Sequence, residues 1–305
     1  MAGVVKQRRL MIELASAQLE GLLFEAPERE RGAAAVILHP YAPLGGSMHD
    51  HMVLELFRAA AQSRAFRLVL RYNQRGVGRS SGWKNWLGGD DQRDVLDVVE
   101  WAAARLTGPE KHVAVIGYSW GSCLAAHGLS HPAVAAYVGV SVPLGGMAWV
   151  LQTKKHFGEV CRAIHVPRLL LLGDQDQFTG TAAMHTAVRE NGGLLLRQDD
   201  SFQPEADAHA AASTAAGSSS SGTIGGSGSG GSGGGGGVHP GAERRELLLR
   251  IFPGDDHFWM SHGNVAAAYA VRWLEAQLLA TQQQQEQQQQ QAASPVQQAA
   301  AAEGG

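Results

Sequence analysis

The residue pattern with the clearest chemical meaning is Gly-x-Ser-x-Gly, which places a serine on a tight turn between a strand and a helix. It occurs three times, centred on Ser80, Ser119 and Ser232. Ser232 lies in a glycine-rich segment without a preceding strand, and Ser80 follows a strand only after a long glycine-containing loop. Ser119 stands directly between an apolar strand pattern and a helix-compatible run. Ser119 is therefore the candidate nucleophile.

A serine hydroxyl becomes a good nucleophile only when a base removes its proton, so the pattern calls for a histidine nearby. Of the thirteen histidines, His257 follows the last strand pattern and precedes the last helix. That position is the carboxyl end of a strand, where ligands of open α/β sheets bind, and it is the same sheet edge as Ser119. We expect His257 to be the base, with His262 as the nearest alternative.

The base in turn needs a carboxylate that fixes its tautomer and stabilises the imidazolium. Asp174 and Asp176 both follow a buried strand pattern. We favour Asp176 because it lies three residues beyond Gly173, and Asp174 stays open as the alternative. The resulting chain order is Ser119, Asp176, His257, which differs from the orders in the two best-known serine protease folds.

The elements that must position these side chains follow from the apolar pattern. Two alternating segments near the N-terminus predict an antiparallel pair at a sheet edge, and later continuous apolar runs predict strands buried on both faces. Helical patterns separate these runs, which predicts an α/β domain with a mostly parallel central sheet and helices on both faces. The predicted strands are 11–15, 19–24, 33–38, 66–71, 113–116, 135–142, 168–172 and 246–252, and the predicted helices are 52–63, 90–106, 122–129, 182–190 and 265–279.

Two segments of biased composition interrupt this pattern. Thirteen of the 39 glycines fall between Gly217 and Gly241, and eleven glutamines fall between Thr281 and Gly305. Neither segment can bury enough apolar surface to offset the entropy of ordering it. We therefore predict a single domain over 8–280, interrupted by a disordered Ser/Gly-rich insertion at about 201–242 and followed by a disordered Gln/Ala-rich tail at 281–305.

The overall composition argues against several classes of protein. The net charge is −3 with 25 Lys and Arg residues and no basic stripe, so nucleic-acid binding is not indicated. The apolar runs are far shorter than the roughly 20 residues of a membrane span. Cys123 and Cys161 give no metal spacing and no disulfide framework, and no secretory signal pattern is present, so we expect a cytoplasmic protein, with organelle targeting left open as the alternative. We expect no metal or cofactor, since the sequence has no Walker-type phosphate loop and no complete dinucleotide-binding pattern.

Two further motifs carry a resemblance to a known family. The chain resembles the α/β-hydrolases, most closely the compact, nearly cap-less members whose third-strand loop reads His-Pro followed by Gly-Gly-Ser-Met. Here these residues are His39-Pro40 and Gly45–Met48, and the turn at 73–80 is similar to the family's loop after its fourth strand. The family orders its triad as serine, acid, histidine, as this chain does. The resemblance implies the α/β-hydrolase fold with a minimal cap.

The resemblance also implies an oxyanion hole built from two backbone N–H groups, one after the nucleophile and one in the third-strand loop. In this sequence they belong to Trp120 and Tyr41. Pro40 has no N–H to donate, which leaves Tyr41 or Ala42 in the loop. Related sequences often carry a second histidine where this chain has Tyr41.

The segment between the predicted sixth and seventh strands bears on how open the site is. Residues 143–167 have room for one or two short helices but not for a separate lid domain. We therefore expect a fairly open site. Four tryptophans fall in loops that are expected to border it, and these are Trp83, Trp86, Trp149 and Trp259.

The function expected from these observations is a serine hydrolase that cleaves a small ester, thioester or amide through an acyl-enzyme intermediate. Its expected partner is a small-molecule acyl substrate, and the sequence leaves protein partners open. Two alternatives remain. One is a serine peptidase on the same fold, which ranks lower because no gating domain is predicted within 11–280. The other is a non-catalytic binding protein with the glutamine-rich tail as an interaction element.

Overall fold

The computed structural model of the chain describes residues 6–302, except 30–31, 85, 109–110, 149–150 and 197–245, and at 147 and 289–302 it describes the backbone alone. The strands are β1 Arg8–Glu13, β2 Gln18–Glu25, β3 Ala33–Leu38, β4 Phe66–Tyr72, β5 Val113–Tyr118, β6 Val134–Val140, β7 Arg168–Gly173, β8 Leu194–Leu195 and β9 Leu247–Phe252. The helices are α1 His51–Gln62, α2 Gly89–Ala103, α3 Trp120–Gly128, α4 Thr153–Arg162, α5 Thr181–Glu190 and α6 Gly263–Ala302.

Within the described residues these strands form one sheet of nine, in the order β1-β2-β4-β3-β5-β6-β7-β9-β8. β1 pairs antiparallel with β2, and β2 pairs antiparallel with β4. Every pairing from β4 to β8 is parallel, which confirms the predicted mostly parallel sheet. Since parallel strands end at a common edge, the residues that follow β3, β5, β7 and β9 come together there.

Helices cover both faces of the sheet because the central strands are apolar on both sides. Along β5, Val113 and Val115 belong to one buried cluster and Ala114 and Ile116 to the other, which is the two-residue alternation of a strand. The first cluster packs α2, α3, α4 and α5 against the sheet. The second packs α1 and α6 against the opposite face. The predicted strands and helices agree with the observed ones to within a few residues, except at the chain's end.

The last helix is longer than the apolar pattern predicts. α6 begins at Gly263 and continues through Ala302, whereas the sequence analysis ends the last helix at 279. Glutamine and alanine are both good helix formers, so the tail extends the helix that the apolar face of α6 anchors to the sheet. A hydrogen bond of 3.0 Å between His112 Nε2 and Gln285 Oε1 ties this extension to the domain. The predicted insertion at about 201–242 lies outside the described residues.

The turn after β4 is fixed by buried polar contacts with α2. Arg75 forms a bidentate ion pair with Asp94, in which the Nε–Oδ2 and Nη2–Oδ1 distances are both 2.6 Å. The backbone N–H of Arg75 also donates to Asp91 at 3.2 Å. Burial raises the pKa of the Asp91 carboxyl to about 6, against the lowering effect of the Arg75 N–H, and nearby Asp94 raises it further. Folding therefore favours the protonated form of the Asp91 carboxyl.

This raised pKa predicts a pH dependence of stability. The unfolded chain holds the Asp91 proton with a pKa near 3.9, so folding takes up a proton between about pH 4 and pH 6. The free energy of unfolding therefore falls as the pH rises through that window, and this loss is complete above pH 6.

Asp91→Asn removes the titration and keeps an acceptor for the Arg75 N–H. We expect the variant to gain about 2 kcal/mol in unfolding free energy relative to wild type between pH 4 and pH 7. Urea unfolding of both proteins across this range measures the difference, and a difference that does not vary with pH contradicts the assignment.

Candidate active site

Ser119 occupies the turn between β5 and α3, in a backbone conformation that is rare for a residue with a side chain. Its φ is 53° and its ψ is −122°, and its N–H donates to the carbonyl of Val140 at 2.8 Å. Such conformations cost free energy and persist only where the surroundings enforce them. A Cβ atom at Gly117 would lie 2.3 Å from the carbonyl oxygen of Gly121. The two glycines of the motif therefore permit the close crossing of strand and helix that presents the serine.

Three side chains from separate parts of the chain meet at this turn and form a chain of two hydrogen bonds. Ser119 Oγ lies 2.9 Å from His257 Nε2, and His257 Nδ1 lies 2.9 Å from Asp176 Oδ2. All three residues are buried. An ionised carboxylate can only accept a hydrogen bond, so Nδ1 carries the imidazole proton and Nε2 presents a lone pair to the serine hydroxyl. The structure thus brings together the three residues selected from the sequence.

The surroundings of Asp176 favour its ionised form. Burial alone would raise its pKa, but hydrogen bonds from His257, from the Ser141 side chain and from the backbone N–H of Phe178 together hold the pKa below its usual range. Its Oδ1 accepts from the N–H groups of Phe178 and Thr179 at 2.8 and 3.0 Å. The carboxylate is therefore fixed on one side, and its other oxygen is left to face the imidazole.

His257 is held in place by the loops around it. Its own carbonyl accepts the Tyr118 hydroxyl at 2.8 Å, and its ring stacks against Phe178 with centroids 4.3 Å apart. The loop that carries it passes close to the end of β7, where a Cβ at Gly173 would lie 2.2 Å from the Asp255 carbonyl oxygen. The pairing of β7 with β9 thus brings Asp176 and His257 to one edge.

The other candidate residues from the sequence, His262, Asp174 and Ser80, make their contacts outside this hydrogen-bonded chain. His262 hydrogen-bonds Asp255 at 3.1 Å and is half exposed, and Asp174 Oδ1 accepts the N–H of Gly254 at 2.8 Å. Ser80 is buried, and its hydroxyl accepts the Glu20 N–H and donates to the Asn73 carbonyl. All of these contacts hold loops in place. Ser80 therefore braces the turn after β4 instead of facing a histidine.

Sequence reasoning missed Ser141, which follows β6 and supports the carboxylate. Its hydroxyl bonds the Asp176 side chain and accepts the indole N–H of Trp259 at 2.9 Å. Ser141 and Trp259 both have positive φ, 50° and 57°. Trp259 is fully buried, so it supports the site from behind instead of bordering it as predicted. The one signal for Ser141 in the sequence is its place just after a buried strand.

The third-strand loop brings Tyr41 to the same cavity as Ser119. Tyr41 and Trp120 both line this cavity, and their rings pack edge to face with centroids 5.6 Å apart. Trp120 is the first residue of α3, where N–H groups have no acceptor within the helix. Within the described residues, neither backbone N–H donates to another backbone group. Tyr41, and not the neighbouring Ala42, is among the described residues that line the cavity.

A buried histidine shapes the loop that carries Tyr41. His39 Nε2 accepts the Gln74 N–H at 3.0 Å, so its Nδ1 carries the proton and donates to the Pro40 carbonyl at 2.7 Å. Burial lowers the pKa of His39 to about 4, against the raising effect of the Pro40 carbonyl. The Gln74 side chain donates in turn to the His39 carbonyl at 2.9 Å. His39 is therefore a neutral brace between this loop and the turn after β4.

The cavity over Ser119 is small and mostly apolar, with a volume of about 190 Å³. Among the described residues, the segment above it contains only a short 3₁₀ turn, Gly146–Ala148, and the helix α4. Of the tryptophans expected near the site, Trp83 and Trp86 are exposed, and the Trp86 carbonyl accepts the Tyr41 hydroxyl at 3.0 Å. Trp149 lies outside the described residues.

The described part of the chain contains no group of three His, Cys, Asp or Glu side chains placed to hold a metal ion. It also has no helix of the length and apolarity needed to cross a membrane.

Comparison with known proteins agrees with this architecture. A family model described as the alpha/beta hydrolase fold matches residues 44–159. A structure of an alpha-beta serine hydrolase homologue from Coxiella burnetii is 19% identical and aligns over 87% of this chain and 96% of its own, with a TM-score of 0.57. A serine hydrolase without a lid from Xanthomonas campestris is also 19% identical, over 89% and 96% of the two chains, with a TM-score of 0.56. Est1E from Butyrivibrio proteoclasticus is 12% identical over 89% and 99%, with a TM-score of 0.56.

No curated protein sequence gives a significant match. The sheet order, the strand–serine–helix turn and the structural matches together define the class of the protein. It has the α/β-hydrolase fold, in a compact form with a minimal cap, and the fold predicted from the sequence is confirmed.

Proposed function

We propose that the protein is a serine hydrolase that cleaves a small ester, thioester or amide through an acyl-enzyme intermediate. The observation that carries the proposal is the contact series Ser119–His257–Asp176, with two consecutive distances of 2.9 Å. In this proposal Ser119 is the nucleophile, His257 is the general base and acid, and Asp176 orients the imidazole. One domain over 8–280, interrupted in sequence by the insertion at about 201–242, carries the activity.

The first half-reaction transfers the acyl group to the enzyme. His257 Nε2 takes the proton from Ser119 Oγ as this oxygen bonds the acyl carbon, and the carbonyl oxygen becomes an oxyanion. When the intermediate collapses, the bond to the leaving group breaks, and the proton on Nε2 passes to that group. Asp176 stays ionised throughout and stabilises the transient imidazolium.

The second half-reaction releases the acid. A water molecule gives its proton to Nε2 and attacks the acyl carbon, and the proton then returns to Ser119 Oγ as the acyl bond breaks. In both halves the N–H groups of Trp120 and Tyr41 bind the oxyanion. Each such donor contributes roughly 3–4 kcal/mol to transition-state stabilisation in known cases. The position of both residues in the wall of the same cavity as Ser119 supports this role.

A serine-directed fluorophosphonate tests the assignment. The purified full chain should be labelled, and Ser119→Ala should abolish the labelling. Ser80→Ala is the matched control, because Ser80 is the rival serine in the same motif, and this variant should label normally once circular dichroism shows it is folded. Labelling that persists in Ser119→Ala contradicts the nucleophile assignment.

A substrate panel separates the three candidate activities. The cavity of about 190 Å³ favours a small acyl group, so p-nitrophenyl esters of short acids should turn over. Aminoacyl p-nitroanilides test the peptidase alternative. The non-catalytic alternative predicts neither probe labelling nor turnover of any substrate, together with binding of a partner through the tail.

A further inference from the structure

Among the described residues, the walls of the cavity over Ser119 combine aromatic rings with a single carboxylate. The carboxylate belongs to Asp50, which precedes α1 at the end of the third-strand loop. No lysine or arginine is among the described residues that line the cavity. The aromatic residues of its wall are Tyr41, Tyr118, Trp120, Phe178 and Phe258. His257 and the tyrosines are the other ionisable side chains among the described residues of the wall.

Only half of the Asp50 carboxylate is used within the protein. Oδ1 accepts the Met52 N–H at 3.3 Å and so caps α1. Oδ2 makes no hydrogen bond or ion pair with the residues that the structure describes. Burial raises the pKa of the Asp50 carboxyl, while the Met52 N–H and the nearby His51 and His257 lower it. Asp50 thus adds to the cavity wall a residue whose carboxylate forms no ion pair with the described residues.

This combination is complementary to a small organic cation. The faces of aromatic rings attract ammonium groups, and alkylammonium ions in particular are bound by aromatic walls. An adjacent cation also favours the ionised form of a half-buried carboxyl, which reverses the effect of burial on Asp50. The N-terminus of α1 is the positive end of the helix dipole and would repel a bound cation. The Asp50 oxygen that caps α1 lies against this end and offsets its charge.

We propose that the substrates of this site are small esters that carry an alkylammonium group, with the cation held by Asp50 and the surrounding rings. The inference rests on the proposed hydrolase function and names the substrate class of the same site. Asp50 is then a specificity-determining residue, and its contribution is separate from the bond-breaking steps at Ser119.

The test compares esters that differ only in one charge. Acetylcholine and 3,3-dimethylbutyl acetate place a cationic or a neutral group of the same shape in the alcohol. The p-nitrophenyl esters of 4-(trimethylammonio)butyrate and 5,5-dimethylhexanoate do the same in the acyl group. For each pair, the ratio of kcat/KM for the cationic ester to that for the neutral ester is measured in wild type and in Asp50→Asn, which keeps the helix-capping oxygen.

We expect the ratio for at least one pair to fall about tenfold or more in Asp50→Asn, because the variant loses the charge but not the shape of the wall. Asp97→Asn is the matched control, since it removes an equal charge from an exposed position on α2 and should leave both ratios unchanged. Equal ratios in wild type and Asp50→Asn for both pairs overturn the inference. An equal loss of kcat for both members of each pair also overturns it, and shows that Asp50 acts on the charge of His257 instead.

A binding measurement keeps this result independent of catalysis. Saturation-transfer NMR of tetramethylammonium with the full chain should show binding to wild type that is lost in Asp50→Asn, with tert-butanol as the neutral probe. If no ester turns over but tetramethylammonium binding depends on Asp50, the hydrolase proposal fails and the cation site stands. If esters turn over and tetramethylammonium does not bind, the hydrolase proposal stands and the cation site fails.

Discussion

Replacing Asp176 by asparagine is expected to lower kcat for a p-nitrophenyl ester by about 10⁴-fold. The amide oxygen of asparagine can still accept the N–H groups of Phe178 and Thr179, so its NH₂ group is turned toward His257. Because this NH₂ donates, His257 Nδ1 must become an acceptor, and the proton moves to Nε2. The imidazole then has no lone pair for the Ser119 hydroxyl, and the base is lost without any change in shape.

Asp174→Asn is the control for this prediction, because Asp174 was the competing carboxylate and lies on the same loop. Its side chain accepts a single backbone N–H, from Gly254, which asparagine also accepts. We expect kcat to stay within about tenfold of wild type, since surface substitutions of this kind change little. Steady-state kinetics of the two variants, each checked for folding by its thermal transition, gives the comparison. The opposite ranking of the two variants would make Asp174 the orienting acid.

The fold was accessible from the sequence because its signals are local. Continuous apolar runs mark the central strands, and the stretch 113–116 leads directly into the serine turn that the structure shows at Ser119. The order of serine, acid and histidine along the chain then follows from which strands end with polar residues. The position of Asp176 relative to Gly173 was a weaker signal, yet the structure brings this residue, and not Asp174, to His257.

The features that escaped prediction depend on contacts between distant segments. Ser141 and Trp259 are 118 residues apart and meet only because β6 and the loop after β9 share an edge. The bracing of the third-strand loop by His39 and Gln74 has the same origin. No composition or periodicity encodes such pairs. The length of α6 beyond 279 escaped for a different reason, because the apolar periodicity ends there while glutamine and alanine still favour helix.

The substrate preference proposed for Asp50 also depends on contacts between distant segments, so the sequence alone did not indicate it. In the structure, Asp50 is the N-cap residue of α1, where its side chain accepts the N–H of Met52. The proposed role in specificity depends on the third-strand loop, which brings Asp50 into the wall of the same cavity as Ser119. A residue with a sufficient local explanation can therefore also contribute to specificity, and only the folded arrangement reveals it.

The close crossing of β3, β5 and α3 predicts a large loss of stability when Gly121 is replaced. Gly121→Ala is expected to destabilise the protein by more than about 3 kcal/mol, because overpacking against backbone cannot be relieved by a change of rotamer. A Cβ at Gly121 would lie 2.5 Å from the Leu38 carbonyl oxygen and 2.6 Å from that of His39. Both atoms belong to the strand end that carries the third-strand loop. The added methyl group must therefore displace the loop with Tyr41 or separate helix from strand.

Gly146→Ala is the control for this substitution, because a Cβ at Gly146 has no described atom within 4 Å. We expect its unfolding free energy to stay within about 0.5 kcal/mol of wild type. Urea unfolding of both variants, followed by tryptophan fluorescence, gives the comparison, and fluorophosphonate labelling reports on the site in any folded fraction. Wild-type stability and labelling in Gly121→Ala would mean that α3 has room to move away from β3. The strained presentation of Ser119 would then need a cause other than this crossing.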